Sequence, residues 1–241
     1  MKTKKPLSKL TAWTLTLALL LALCVIPGGI SQIAYAQEPA IEPVPITPVM
    51  PINPFEDVFG TDWFIDAVIY VYANELMTGT STDPMLFSPR STLTRSMVVT
   101  VLYRHEGSPD MSGAANPFTD VADGRWYTEA VKWAAANGIV GGHGDGRYAP
   151  NDDITREQMM TILHNYSKWK GIDVSVGEDT NILSYEDAFD ISQYAIPAIQ
   201  WACGAGIMGG DDNYLYPGEG ATRAEFAAIL MRFMQWAQQE E

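Results

Sequence analysis

The sequence predicts a mainly α-helical protein built from three copies of one helix-loop-helix repeat. Three observations predict it. An aromatic-x-Asp-apolar motif occurs three times, as Phe55-Glu56-Asp57-Val58, Phe118-Thr119-Asp120-Val121 and Tyr185-Glu186-Asp187-Ala188. An apolar-Thr-Arg motif follows each one in the same order, as Leu93-Thr94-Arg95, Ile154-Thr155-Arg156 and Ala221-Thr222-Arg223. The apolar residues between and after these motifs recur at helical spacing. The opening aromatic precedes the arginine by 40, 38 and 38 residues, and successive copies are offset by 63 and 67 residues. Repetition of this kind is the signature of an architecture assembled from one unit.

The chain begins with an address. Lys2, Lys4, Lys5 and Lys9 precede an apolar run from Leu10 to Ile26, and Ala34-Tyr35-Ala36 supplies a small-x-small cleavage pattern. Residues 1–36 therefore read as an export signal, with Gln37 opening the mature chain. A retained membrane anchor is the alternative, but the apolar run sits near the lower limit for a span, about 17 residues, and Pro27-Gly28-Gly29 breaks it. Leu23 stands where a lipoprotein signal wants a small residue, which argues against a lipid on Cys24. Residues 37–53 carry Pro39, Pro43, Pro45, Pro48 and Pro51 just ahead of Pro54, a composition that favours an extended linker. The repeats then occupy 54–106, 116–168 and 183–236.

Each repeat reads as helix, glycine turn, short extended stretch and second helix. In the second copy Ala130, Val131, Ala134 and Ala135 make a helical face with Trp133 alongside, and Gly138 stops the helix. The third copy repeats this with Ala198, Ile199, Trp201 and Ala202, with Pro197 near the start and Gly206 at the end. Gly141-Gly142 and Gly209-Gly210 form the turns. Tyr148-Ala149-Pro150, Tyr214-Leu215-Tyr216-Pro217 and Phe87-Ser88-Pro89 form the extended stretches. A second helix follows each threonine, with Phe226, Ala227, Ile229, Leu230 and Phe233 as its apolar face in the third copy. A helix pair of this size buries its own apolar face poorly, so the copies must pack together. Periodicity leaves open whether they stack as a solenoid or close around a threefold axis.

The order Phe-x-Asp-Val, Trp, helix, Gly-Ile-x-x-Gly, aromatic-x-Pro, Thr-Arg-x-Glu resembles the S-layer homology (SLH) repeat. The second copy carries it most fully, through Trp126, Gly138-Ile139-Val140-Gly141-Gly142, Tyr148-Ala149-Pro150 and Ile154-Thr155-Arg156-Glu157-Gln158. The resemblance covers residues 54–236. It implies one pseudo-threefold unit with a central helix bundle. It also implies a cell-wall anchor that binds secondary cell-wall polysaccharide, an anionic polymer often bearing pyruvate ketals. The alternatives are an adaptor that binds another surface protein and, less favoured, a wall-associated enzyme with an unrecognised site.

The candidate glycan-binding residues follow from motif and resemblance together. Thr155 with Gln158, and Thr222 with Glu225, fit the capping box, which accounts for them structurally. Arg95, Arg156 and Arg223 fall at the first helical position, where a cation opposes the helix dipole. Free N–H groups and a planar guanidinium there suit a carboxylate. Their loss is then expected to cost binding and little stability. The rival is an ion pair with Asp57, Asp120 or Asp187, which also suit bracing of the turn before the first helix. Trp63, Trp126 and Tyr194 either stack on a sugar or belong to the core. Gly79, Gly142 and Gly210 either let backbone approach a ligand or simply end a helix. The first copy departs furthest from the motif, with Glu75 in the glycine position, a longer loop from Ser81 to Leu86, and Met97 where Gln or Glu is expected.

Composition excludes several functions. The chain has 15 basic and 29 acidic residues; four of the basic ones and none of the acidic ones lie in 1–36, leaving 11 against 29 and a formal charge of −18. Such a surface argues against nucleic acid and anionic membrane as partners. Cys203 is the single cysteine beyond residue 36, so no internal disulfide is expected. His105, His143 and His164 share no metal-ligand spacing, Pro150 and Arg147 interrupt any calcium-loop pattern between Asp145 and Asp153, and no Gly-x-Ser-x-Gly motif occurs. Neither a catalytic residue, a metal nor a cofactor is expected.

Overall fold

The computed structural model describes residues 52–240. The export signal (1–36) and all but the last two residues of the proposed linker (37–53) lie outside the described residues. Asn53, the last residue of the proposed linker, is hydrogen-bonded to the start of the first repeat. Its amide Nδ2 donates to the Val58 carbonyl at 2.7 Å and its Oδ1 accepts from Phe55 N at 3.0 Å. Asn116 makes the same two contacts with Val121 and Phe118.

Each copy contributes two helices: α1 (Ile65–Ala73) and α2 (Arg95–His105), α3 (Thr128–Ala136) and α4 (Arg156–Lys170), α5 (Ile196–Gly204) and α6 (Arg223–Glu240). The first helices end alike. Leu76 N, Ile139 N and Ile207 N return to the carbonyls of Val71, Ala134 and Ala202 at 2.8–2.9 Å, a Schellman closure that needs a left-handed residue just before. Gly138 and Gly206 supply it with φ of +68° each, and Glu75 supplies it in the first copy with φ of +57°. The longer loop of that copy folds as a small antiparallel hairpin, β1 (Ser81–Thr82) with β2 (Met85–Leu86).

The copies pack in a cycle. α2 lies on α3 of the next copy, α4 on α5, and α6 returns to α1. Main-chain bonds close the same cycle around the axis. Leu93 N donates to Ala221 O, Ala221 N to Ile154 O, and Ile154 N to Leu93 O, at 3.1, 3.0 and 2.9 Å. The first of these bonds joins the first copy to the third, which an open solenoid has no way to do, so the closed threefold arrangement is the one the chain adopts. The three residues in the ring are at most 1% exposed. Around them Val99 and Leu102 of α2, Met159, Met160 and Leu163 of α4, and Phe226 and Leu230 of α6 are fully buried in one continuous core. Burial of this apolar face, at about 25 cal/mol per Å², is available only when neighbouring copies are present.

Candidate functional site

The threonines cap as expected. Thr94, Thr155 and Thr222 accept from the N–H groups of Met97, Gln158 and Glu225. Gln158 and Glu225 reach back to the N–H of their own threonine, so both capping boxes form. The two preceding N–H groups of each helix are also engaged. Arg95 N and Ser96 N donate to Asp152 O and Pro150 O; Arg156 N and Glu157 N donate to Glu219 O and Pro217 O; Arg223 N and Ala224 N donate to Ser91 O and Pro89 O. The first turn of each second helix is thus capped by the next copy's loop. The expectation of free N–H groups for a ligand fails here, because closing the cycle uses them.

The arginines point the same way around the cycle. Arg95 Nε donates to Tyr148 O of the second copy at 2.9 Å, Arg156 Nε to Leu215 O of the third at 2.9 Å, and Arg223 Nε to Phe87 O of the first at 2.7 Å. The Arg95 guanidinium also covers the Tyr148 ring at 4.8 Å, and that of Arg223 covers Phe87 at 4.6 Å. None of the three forms an ion pair with Asp57, Asp120 or Asp187. A cation opposed to its own helix dipole is instead held by a carbonyl of its neighbour, and for Arg95 and Arg223 by a ring as well, so these side chains bear on stability as well as on any ligand.

The aspartates have a different job from either expected one. Asp57 accepts from Phe87 N and Ser88 N at 2.8 and 2.7 Å, Asp120 from Tyr148 N and Ala149 N at 2.8 Å each, and Asp187 from Leu215 N and Tyr216 N at 2.9 and 2.6 Å. Ser88, Ala149 and Tyr216 each have φ between +54° and +57°, a conformation costing about 1–2 kcal/mol for a residue with a Cβ. Each carboxylate therefore clamps the strained residue that aims the neighbouring carbonyl at the arginine. Burial pushes the Asp120 carboxyl up, but the N–H groups of Tyr148 and Ala149 outweigh it and leave the group below its ordinary value. The three glycines answer to internal packing too. A Cβ on Gly79, Gly142 or Gly210 would lie 2.7, 2.5 and 2.6 Å from the carbonyls of Leu86, Arg147 and Tyr214, and within 3.1 Å of the ring of Phe55, Phe118 or Tyr185.

Three of the surface grooves are related by the threefold arrangement. The first, about 430 Å³, is lined by Arg95 of copy one, Gly141, Gly142 and the α4 residues Gln158, Thr161 and Asn165 of copy two, and Tyr194 of copy three. In the second, about 560 Å³, Arg156 of copy two meets Gly209, Gly210 and Glu225 of copy three and Trp63 of copy one. The third, about 210 Å³, joins Arg223 of copy three, Met77, Thr78 and Met97 of copy one, and Trp126 of copy two. Every groove draws on all three copies. Trp63, Trp126 and Tyr194 are 65%, 57% and 55% exposed, so they are surface residues and not core. Trp63 and Trp126 stand edge-on against the buried rings of Phe64 and Tyr127. Tyr194 OH donates to Glu157 at 3.0 Å, and burial together with that bond pushes the phenol up to about 12.

These grooves contain the motif arginines, the aromatics and most of the glycine turns that the sequence singled out. The aspartates lie outside them. Each groove also holds a residue that motif reading passed over, nine positions after its floor helix's own arginine: Arg104, Asn165 and Arg232. Aligning the second helices of the three copies on their arginines would have found them.

Residues 54–96, 117–160 and 184–227 each match the S-layer homology domain, together more than half of the chain. The chain belongs to the S-layer homology family. Its relatives include an endoglucanase of a Bacillus species, 33% identical over 178 residues, which covers 73% of this chain and 18% of the endoglucanase. A cellulosome-anchoring protein of Acetivibrio thermocellus is 25% identical over 155 residues, 62% of this chain and 34% of that protein. A surface-layer 125 kDa protein of Lysinibacillus sphaericus is 25% identical over 153 residues, 62% of this chain and 12% of that protein. The shared region thus spans no more than about a third of these relatives, and it is the SLH segment that this chain has in common with them. Among the described residues no helix is long and apolar enough to cross a membrane.

Proposed function

We propose that this chain is a non-catalytic anchoring module of the cell surface, exported and held on the wall by an anionic secondary cell-wall polysaccharide. The observation that carries this reading is the groove design. Each groove pairs a guanidinium with an exposed tyrosine or tryptophan, the combination suited to a sugar that presents an apolar ring face and a carboxylate. The relatives support it as well. Proteins named for an endoglucanase, for cellulosome anchoring and for a surface layer share this segment, and a wall anchor is a role that such different proteins can have in common.

Co-sedimentation with purified walls tests the proposal. The protein is expected in the pellet with walls that retain the secondary polymer, and in the supernatant after hydrofluoric acid has stripped it. Equal pelleting with stripped peptidoglycan would overturn the assignment of the glycan as ligand.

A further inference from the structure

The three grooves share one design but not one charge. The differences begin at one position, the third residue of each second helix, and extend to the charged groups around it. In the first groove that residue is Gln158, and its Oε1 accepts from Arg95 Nη1 at 3.2 Å. Arg95 Nη2 lies 3.4 Å from Gly141 O, and the whole side chain is 8% exposed. In the second groove the residue is Glu225, and Arg156 Nη1 forms an ion pair with it at 3.0 Å. Asp211 and Glu219 also line that groove, so its three carboxylates outnumber Arg156 and Arg232. In the third groove the residue is Met97, which offers no acceptor. Arg223 donates through Nε to Phe87 O and through Nη2 to Thr78 O at 2.7 Å, and among the described residues its Nη1 has no partner. Arg104 lines the same groove and no carboxylate does.

An anion entering the second groove has to displace Glu225 from Arg156 and pass two further carboxylates. In the first, the guanidinium is buried and its Nη1 donates to an amide. In the third, an unused donor and a second cation stand beside Trp126, and burial has removed part of the hydration that would otherwise satisfy the guanidinium. Coulomb interactions of exposed charges fade beyond about 8–10 Å at ordinary salt, so these local groups outweigh the acidic charge of the rest of the chain.

We propose that the Arg223–Arg104–Trp126 groove is the one that takes a carboxylate-bearing sugar, and that Glu225 closes the Arg156 groove to anions. This rests on the reading of the grooves as glycan sites and goes beyond it by assigning ligand charge to one groove. It also gives the first copy's departure from the motif a functional meaning. Met97 breaks the motif, and by doing so it leaves Arg223 free to bind.

A reciprocal exchange at the controlling position tests the assignment. The probes are a methyl glycoside bearing a 4,6-linked pyruvate ketal and the same glycoside without it, titrated by protein-observed NMR and paired with wall pelleting. Met97→Glu supplies Arg223 with the carboxylate that Arg156 already has. It is expected to keep or raise the melting temperature while weakening the ketal-bearing probe about tenfold or more and leaving the neutral probe unchanged. Arg104→Ala, at an exposed side chain, is expected to weaken the same probe severalfold with the fold intact. Glu225→Met is expected to add ketal-dependent shifts on the Trp63 indole. A well-folded Met97→Glu protein that binds the ketal-bearing probe within twofold of the parent overturns the groove assignment while leaving wall binding standing. A parent protein that neither pellets with polymer-bearing walls nor binds either glycoside overturns the glycan reading itself, and the assignment with it.

Discussion

Replacing Arg95 by alanine is expected to destabilise the whole unit by about 3–4 kcal/mol. The magnitude comes from what the side chain touches. Its Nε satisfies the carbonyl of Tyr148, a fully buried residue, and its loss leaves that carbonyl without this donor, at about 1–3 kcal/mol. The cation also covers the Tyr148 ring at 4.8 Å in a desolvated position, a contact worth up to about 2 kcal/mol. Against this stands the relief of a cation at a helix N-terminus, about 0.3–1 kcal/mol. The sum favours loss. For a domain of this size about 1 kcal/mol moves the melting temperature by roughly 2–4 °C, so differential scanning calorimetry should show a fall of about 6–16 °C in one transition. Lysine keeps the charge without the planar fork and should recover only part of it. A melting temperature within about 2 °C of the parent would refute the view that the arginines tie the copies together, and would restore the simpler one in which they serve a ligand alone.

Other expectations follow from the same contacts. Asp120 has a folded pKa below its ordinary value, so its contribution is present above about pH 4 and is lost as pH falls through the folded value. Asp120→Ala should therefore cost about 2 kcal/mol at neutral pH, discounted for partial exposure, and much less near pH 2, read from urea melts at the two pH values. Glu75→Gly relaxes a left-handed residue and should gain about 0.5–1 kcal/mol after the added freedom of the unfolded chain is counted, seen as a higher urea midpoint with unchanged slope. Gly142→Ala forces a Cβ to 2.5 Å from the Arg147 carbonyl and should lose about 1–3 kcal/mol in the same assay.

The helices, their stops and their caps were legible because each rests on local chemistry. Thr155 and Gln158 announce a capping box four residues long, and Gly138 announces a left-handed stop. The closed arrangement was legible through the family resemblance, since periodicity cannot separate a stack from a ring. What could not be read was the destination of each polar side chain. Asp120 sits two residues from Phe118, in a position that suggests a nearby turn, yet its partners are Tyr148 N and Ala149 N. Arg95 looks like a helix-start residue with nothing to gain locally, and its reward lies 53 residues away. Long-range carbonyl acceptors leave no trace in sequence spacing. The exposure of Trp63 and Trp126 was open for the same reason, because an aromatic at a helix start serves a core and a surface equally well.

Closure of the cycle and construction of the grooves are one event in this molecule. The arginine of one copy reaches its groove only by donating to the extended stretch of the next, and that stretch is held in place by its own aspartate. The aromatic arrives from the third copy in turn, so removal of any copy dismantles parts of all three grooves. A single copy supplies only part of the core and part of each groove. Copies that must stay together for stability are nevertheless free to diverge at positions facing the grooves, because Met97, Gln158 and Glu225 all tolerate the same cap geometry at their N–H groups. The backbone framework therefore sets three equivalent places, and one side chain at each decides how much of the arginine is left for a ligand.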